Sequence, residues 1–358
     1  MSDTSHSHLP GDDLLQCSLQ PQPVRYFDPS VAAERQETII ITAKYWANGT
    51  KLKYYFFDDA RASSFPDEID LVRQGFAAWK ELGIGIDFTE TLDADEAHVR
   101  IGFTRGIGSW SYIGRDCLQI PHYKTTMNFG WDLRHDPRKV GVAIHEIGHA
   151  IGMPHEHQNP QAGIVWNTEA VIAKFSGPPN SWDEPTIRRN ILDQLPQADI
   201  RGSEWDANSI MEYEFPPGLV AAPDEYRING IRPPGDQLSP LDREWTRRFY
   251  PPLDDTDLAH LQLNASVPVN IANGEEISFL FRPSVTQDYE LRIFGQCDAV
   301  IVLFEERAGG QQFVVGKDDS GKDENAYIRQ RLEAGTRYRV NIRMLYRERE
   351  TIVSLMLW

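Results

Sequence analysis

Two folds in series are written into this 358-residue chain: an α+β domain with a twisted mixed sheet over residues 37–252, then an all-β sandwich over residues 253–358, behind a leader of residues 1–36. Three observations carry that reading. Strand-like and helix-like segments alternate as far as Tyr250, and one of the helices bears closely spaced histidines. Pro251 and Pro252 close that pattern. From Leu253 onward short apolar runs recur near the 8–12-residue spacing of a small sandwich.

The elements follow in order. ETIIITAKYW and LKYYFFDD read as strands from their β-branched and aromatic content. Pro66 and Asp67 open an amphipathic helix, with Ile69, Val72, Phe76 and Trp79 recurring at three- and four-residue steps before Gly83. IGIDFTE, HVRIGF and TTMNFGW read as further strands. Asp136 as N-cap and Pro137 at the first helical position predict the start of the next helix, with Val140, Ile144, Ile147 and Ile151 as its buried stripe. TEAVIAKF and PTIRRNILDQL read as short helices. SPLDREWTRRFYPP opens with Ser239 as cap, Pro240 in the first turn and Asp242 in a capping-box position. Beyond Leu253 the runs ISFLF, YELRIF, AVIVLF, QFVV, YIRQRL, YRVNIRML and TIVSLML are the strands of the sandwich.

The helix opened by Pro137 carries HEIGHAIGMPH, in which His145, Glu146, His149, Gly152 and His155 fill HExxHxxGxxH. Two histidines four apart share one helix face, so both imidazoles can address one metal ion. Glycine at 152 lets the chain leave the helix through positive φ and double back to present His155. Three neutral imidazoles leave the fourth corner of a tetrahedral zinc for water, the open coordination of a catalytic site, and Glu146 beside the first ligand can hydrogen-bond that water. Chance placement of these five residues has odds on the order of 10⁻⁷ per start position at this chain's His, Glu and Gly content.

Some fifty residues on stands SIMEY, Ser209 to Tyr213. The long histidine motif paired with a later methionine turn is the metzincin pattern, and Tyr213 two residues after Met211 resembles the astacin-like branch. The likeness runs from about Thr38 to Pro252 and includes GSWSYIGR, TTMNFGW and HEHQNP. It implies a metzincin α+β catalytic domain with its cleft at the zinc, and a zinc endopeptidase that hydrolyses peptide bonds with Glu146 promoting the zinc-bound water. It further implies Met211 as an apolar floor under the histidines, and Tyr213 as an extra zinc ligand that swings out to stabilise the oxyanion. Met127, Asn128, Phe129 and Gly130, as a cleft-rim strand, become the candidates for binding an extended substrate through main-chain hydrogen bonds. A specificity pocket is expected near Pro216 to Leu219. The chain departs from astacins after the third histidine: EHQNPQAG lacks the arginine and acidic residues that bury a mature N-terminus, so activation through that salt bridge does not carry over.

The β-rich segment resembles the bacterial pre-peptidase C-terminal domain around Asp298, Asp318-Asp319 and Gly335. Asp318, Asp319 and Asp323 are candidate Ca²⁺ ligands, because hard carboxylate oxygens suit that ion. In the leader, Cys17 is a candidate latency ligand whose thiolate would take the open zinc position, with the acidic run Gly11 to Asp13 as a carboxylate alternative.

A net charge of −17 argues against a nucleic-acid partner, which needs clustered Lys and Arg, and leaves a polypeptide substrate as the better match. No run approaches the ~18 apolar residues of a membrane span. MSDTSHSHLPGDD lacks both a basic and an apolar region, so no Sec signal is read there, leaving a cytoplasmic location or a non-Sec route. Three widely spaced cysteines, Cys17, Cys117 and Cys297, imply no disulfide framework. The competing reading is a binding protein that uses the sandwich to engage a partner and keeps a vestigial zinc domain; the presence of Glu146 weighs against it.

Overall fold

The computed structural model describes residues 17–20, 44–46, 48–57, 65–195, 205–252, 258–295, 297–307, 310–317, 325–347 and 352–358. Of the strand expected over residues 37–46, residues 37–43 lie outside the described residues and residues 44–46 form a turn and not a strand; the Gly11 to Asp13 run and the candidate calcium ligands Asp318, Asp319 and Asp323 also lie outside the described residues.

Strand β1 (Lys51–Phe56) is followed by helix α1 (Pro66–Lys80), β2 (Asp87–Glu90), β3 (Val99–Gly102), β4 (Trp110–Ser111) and β5 (Met127–Asn128). Then come helix α2 (Val140–Ala150), β6 (Val165–Trp166), α3 (Thr168–Ser176) and α4 (Glu184–Ile187), which runs on into a wide π turn at Arg188–Leu192. β7 (Val220–Ala222), α5 (Asp224–Asn229) and α6 (Pro240–Phe249) complete this part. The sheet order is β2-β1-β3-β5-β4, with β1 parallel to β2, β3 parallel to β5, and β4 antiparallel to β5 at the edge. Two compact units divide the chain: Met1–Pro23, Tyr55–Ala78 and Leu92–Arg243 form one, and Val24–Tyr54, Trp79–Thr91 and Glu244–Trp358 the other.

In the first unit, Ile69, Val72 and Phe76 of α1 are buried as their spacing predicts. Gly75 of α1 meets α2 so closely that a Cβ there would fall 2.9 Å from both Ala143 and Ile147. α2 is not amphipathic in its surroundings: every residue from Gly141 to Ala150 is buried, so the predicted stripe understates its role as the central core helix. The close of α6 at Phe249 and its cap agree with expectation. Ser239 Oγ accepts the Asp242 N–H at 2.9 Å, and the Asp242 carboxylate accepts the Ser239 N–H at 2.8 Å, a reciprocal capping box.

In the second unit, the strands β8 (Ala259–His260), β9 (Ser266–Pro268), β10 (Glu276–Phe281), β11 (Gln287–Phe294), β12 (Cys297–Arg307), β13 (Gly310–Lys317), β14 (Tyr327–Leu332), β15 (Arg337–Arg347) and β16 (Ser354–Leu357) form two sheets, ordered β13-β12-β15-β10-β8 and β14-β11-β16-β9. The apolar runs read from the sequence fall on these strands, except that β16 takes only Ser354–Leu357 of TIVSLML. Leu291, Ile301, Leu303, Val340, Ile342 and Leu355 help to fill the core between them. The second face of β12 and β15 is also buried, through Val300, Val302, Phe304 and Leu345. Polar groups on that side meet Tyr45, Trp46 and Asn48. Both Glu276 carboxylate oxygens accept the Asn48 N–H, at 2.7 and 2.6 Å, while Asn341 and Arg343 donate to the Asn48 and Trp46 carbonyls. The Arg343 guanidinium also stacks over Tyr45 at 4.9 Å and Tyr250 at 5.5 Å.

Candidate metal centre

α2 begins later than its sequence signals suggest. Lys139 takes φ 49° and caps the helix, so Asp136 and Pro137 lie in the turn before it. The Asp136 carboxylate is drawn away from capping by the Arg138 N–H and guanidinium, at 2.8 to 3.0 Å, and by the Trp131 indole N–H at 2.8 Å. At the other end Gly152, at φ 106°, closes a Schellman motif: the Met153 N–H reaches the Gly148 carbonyl and the Gly152 N–H the His149 carbonyl, both at 2.9 Å. The turn this creates brings the Met153 carbonyl to 2.6 Å from His149 Nδ1, which fixes that ring's tautomer as well as its orientation. His155 follows in extended backbone, φ −71° and ψ 139°, and faces back toward the helix.

His145 Nδ1 lies 2.7 Å from the Ile210 carbonyl in the turn that also holds Met211. With Nδ1 donating to a carbonyl on both His145 and His149, each Nε2 carries a lone pair. His149 Nε2 stands 3.1 Å from His155 Nε2, and His145 Nε2 is buried without a hydrogen-bond partner. Burial holds all three rings neutral, His149 down to about 4 and the other two well below the usual histidine range. Cys17 Sγ and one nitrogen from each of these histidines lie within 4.8 Å of one another. A buried lone pair with nothing to accept, next to two more imidazoles and a thiol, is the donor chemistry of a zinc site, and these residues fit that ion.

Glu146 lies on the same helix, 1 % exposed, and burial pushes its carboxyl up to about 8. The Cys17 thiol donates to its Oε2 at 3.5 Å, and burial together with the neighbouring Glu146 carboxylate pushes that thiol well above its ordinary range. The Tyr213 ring packs 4.3 Å from that of His155, and its hydroxyl donates to the Cys17 carbonyl at 2.5 Å. Met211 is buried and its N–H is held by Ser209 Oγ at 3.0 Å. Residues 17–19 therefore run through the site: besides the Cys17 contacts, the Ser18 N–H donates to the Ser109 carbonyl at 3.0 Å and the Leu19 N–H to Asn190 Oδ1 at 2.7 Å.

The rim assignment of Met127, Asn128, Phe129 and Gly130 is corrected by the pairing. β5 is flanked on both sides, Met127 opposing Ile101 of β3 and Ser111 of β4, and the four residues are buried. Asn128 faces the loop instead, donating to the Thr104 and Gly108 carbonyls at 3.1 and 2.8 Å. A Cβ on Gly130 would lie 2.3 Å from the Gly108 carbonyl oxygen, so this segment packs under the 104–109 loop and the sheet's edge passes to Trp110–Ser111. In the expected specificity region Leu219 is buried and Pro217 and Gly218 are exposed.

Several neighbours of the site gave no separable sequence signal. His157 stacks on His155 at 5.3 Å, with Nδ1 3.1 Å from Glu212 Oε1 and Nε2 2.9 Å from the Asn190 carbonyl. Asp242, read only as a capping residue, also accepts from Ser209 Oγ at 2.7 Å and the Ile210 N–H at 2.8 Å. Glu156 is pushed up to about 8 by burial and by nearby carboxylates. The second histidine of HEH was the one visible hint of His157.

Comparison with known proteins places this geometry. The family model described as Astacin, a peptidase family, matches residues 39–171. The chain is 26% identical over 168 residues to "Zinc metalloproteinase nas-36" of Haemonchus contortus, covering 47% of this chain. It is 29% identical over 190 residues to "Bone morphogenetic protein 1" of Xenopus laevis, covering 50% of this chain. It spans only 24% of the length of each of these relatives. Among solved structures, one titled "Structure of myroilysin" is 29% identical with a TM-score of 0.52, matching 59% of this chain and 97% of its own. The three-histidine site and its glycine-broken helix fall inside the match to the Astacin family model, and the chain is similar there to an astacin-like metzincin metallopeptidase domain.

Proposed function

We propose that this chain is a zinc-dependent endopeptidase acting on polypeptides, held latent by residues 17–19 until they withdraw from the cleft. The observation that carries the reading is the convergence of the His145, His149 and His155 nitrogens beside the Glu146 carboxyl, with the Tyr213 hydroxyl within reach of the same point. Zinc held by the three imidazoles would supply Lewis acidity, polarising a peptide carbonyl and lowering the pKa of a water toward about 7.

Glu146 would take that water's proton and return it to the leaving amine. Its place on the rigid, fully buried α2 fixes its distance from the histidines before substrate arrives. Tyr213, whose hydroxyl donates to the Cys17 carbonyl, would donate to the reacting carbonyl oxygen as charge builds there, an interaction that strengthens toward the transition state. The same contacts support the latency: the Cys17 sulfur lies within 4.8 Å of the three histidine nitrogens, where it would compete with water and a scissile carbonyl, and the Ser18 and Leu19 amides donate to the Ser109 carbonyl and Asn190 Oδ1.

Two variants test this. Placed on the Cys17→Ala chain, Glu146→Ala should keep its zinc and lose nearly all casein hydrolysis, and full residual activity would refute the assignment. Cys17→Ala in the full-length chain should raise chelator-sensitive hydrolysis; unchanged activity and unchanged access of a chromophoric chelator to the metal would remove the latency part alone.

A further inference from the structure

We propose that Asn190 anchors the main chain of a bound peptide, its Oδ1 accepting the amide N–H two residues beyond the carbonyl that Tyr213 engages. This rests on the peptidase reading and adds to it a binding residue that lies far from the histidine motif in sequence.

The track is drawn by the chain itself. Tyr213 donates to the Cys17 carbonyl, the Ser109 carbonyl accepts the Ser18 N–H, and Asn190 Oδ1 accepts the Leu19 N–H. None of these contacts reads a side chain of residues 17–19, so a peptide of different sequence can present the same three groups. Asn190 is built for the task. It is fully buried, and its Nδ2 donates to the Thr186 carbonyl at 2.8 Å, which settles which end of the amide faces the cleft. Its own carbonyl lies 2.9 Å from His157 Nε2, tying it to the His157–Glu212 pair behind Tyr213. The π turn at Arg188–Leu192 projects this residue where the chain continues from α4. Among the described residues Leu19 is the partner of Oδ1, and a buried acceptor left without a partner is destabilising, so withdrawal of residues 17–19 leaves a site that an incoming amide satisfies.

The test uses the zinc-loaded full-length chain carrying Cys17→Ala, Ser18→Pro, Leu19→Pro and Glu146→Ala, which frees the metal, removes the two amide donors that hold the chain's own segment on the site, and stops turnover. The probe is a fluorescent synthetic peptide of residues 14–23 with Cys17→Ala, compared by anisotropy with analogues N-methylated on the Leu19 or the Ser18 nitrogen. Methylation at Leu19 should weaken binding about tenfold, about 1.4 kcal/mol, and the loss should shrink to under about twofold when Asn190→Leu is added. Asn190→Asp, which keeps an acceptor, should restore the sensitivity, and the loss on Ser18 methylation should be the same in all three proteins. An equal Leu19 penalty with and without Asn190, or a parent peptide that does not bind, overturns the proposal. Because binding is read without hydrolysis, failure of the chain with Glu146 intact to cleave casein would strike the peptidase reading separately.

Discussion

Removing the Asp242 carboxylate should damage the metal centre from a distance. Its two oxygens accept from Ser209 Oγ at 2.7 Å, the Ile210 N–H at 2.8 Å and the Ser239 N–H at 2.8 Å, and Ile210 in turn presents its carbonyl to His145 Nδ1. Asp242→Ala leaves three buried donors unsatisfied at about 1 kcal/mol or more each, so about 3 kcal/mol is the expected loss. For a unit of this size that is a fall in Tm of about 6–12 °C. The loosened Ile210 carbonyl should weaken zinc binding by about 10–100-fold, the usual effect of losing the group that orients a ligating histidine. Asp242→Asn should be far milder, because the amide oxygen keeps both N–H contacts while the Ser209 hydroxyl turns to accept from the new NH₂. Urea denaturation in chelator measures the first effect without metal linkage, and competition with a chromophoric chelator measures the second. A loss under about 1 kcal/mol in the alanine variant, or zinc affinity unchanged from wild type, would refute the reasoning.

Tyr213→Phe, placed on the Cys17→Ala chain, should lower kcat about 10²-fold with little change in KM, as expected for a donor used in the transition state; an effect on KM alone would contradict that role. Gly141→Ala puts a Cβ 1.9 Å from the Gly235 carbonyl oxygen, so it should destabilise the start of α2 by about 3 kcal/mol, read as a lower urea midpoint. Glu276 is pushed up to about 7 by burial, against the pull of Arg343 and the Asn48 N–H. A carboxyl with its folded pKa raised binds more protons when folded, so its contribution is complete below about pH 4.5 and is lost as pH rises through about 7, up to about 3 kcal/mol. The stability of wild type relative to Glu276→Gln should therefore fall between pH 5 and 8, and a rise would show that the Arg343 contact dominates.

How much of this was legible depended on how local the cause was. The histidine spacing and Gly152 act within eleven residues, and the structure brings those side chains together as the pattern implies. The Ser239–Asp242 box is equally local. α2 began late because Arg138 and Trp131 compete for the Asp136 carboxylate, a choice that composition does not reveal. Met127 to Gly130 looked like a rim because β4, which covers them, is two residues long and too short to carry a period. The buried outer face of β15 was hidden because its polar partners there, Trp46 and Asn48, lie over 290 positions earlier. His157 and the second task of Asp242 depend on partners 32 to 55 residues away, and Asn190 on Leu19 at 171, beyond any pattern a single chain displays.

That reach bears on the order in which a ribosome delivers the protein. Cys17 emerges 225 residues before Asp242, and without Asp242 the turn that orients His145 lacks two of its ties, those of Ser209 Oγ and the Ile210 N–H. Under the proposed latency, a growing chain holds the sulfur that would block the site long before it holds a finished metal centre. On this reading a translating ribosome never carries an unguarded blade: by the time the last strut is in place, the sheath has been waiting for most of the synthesis.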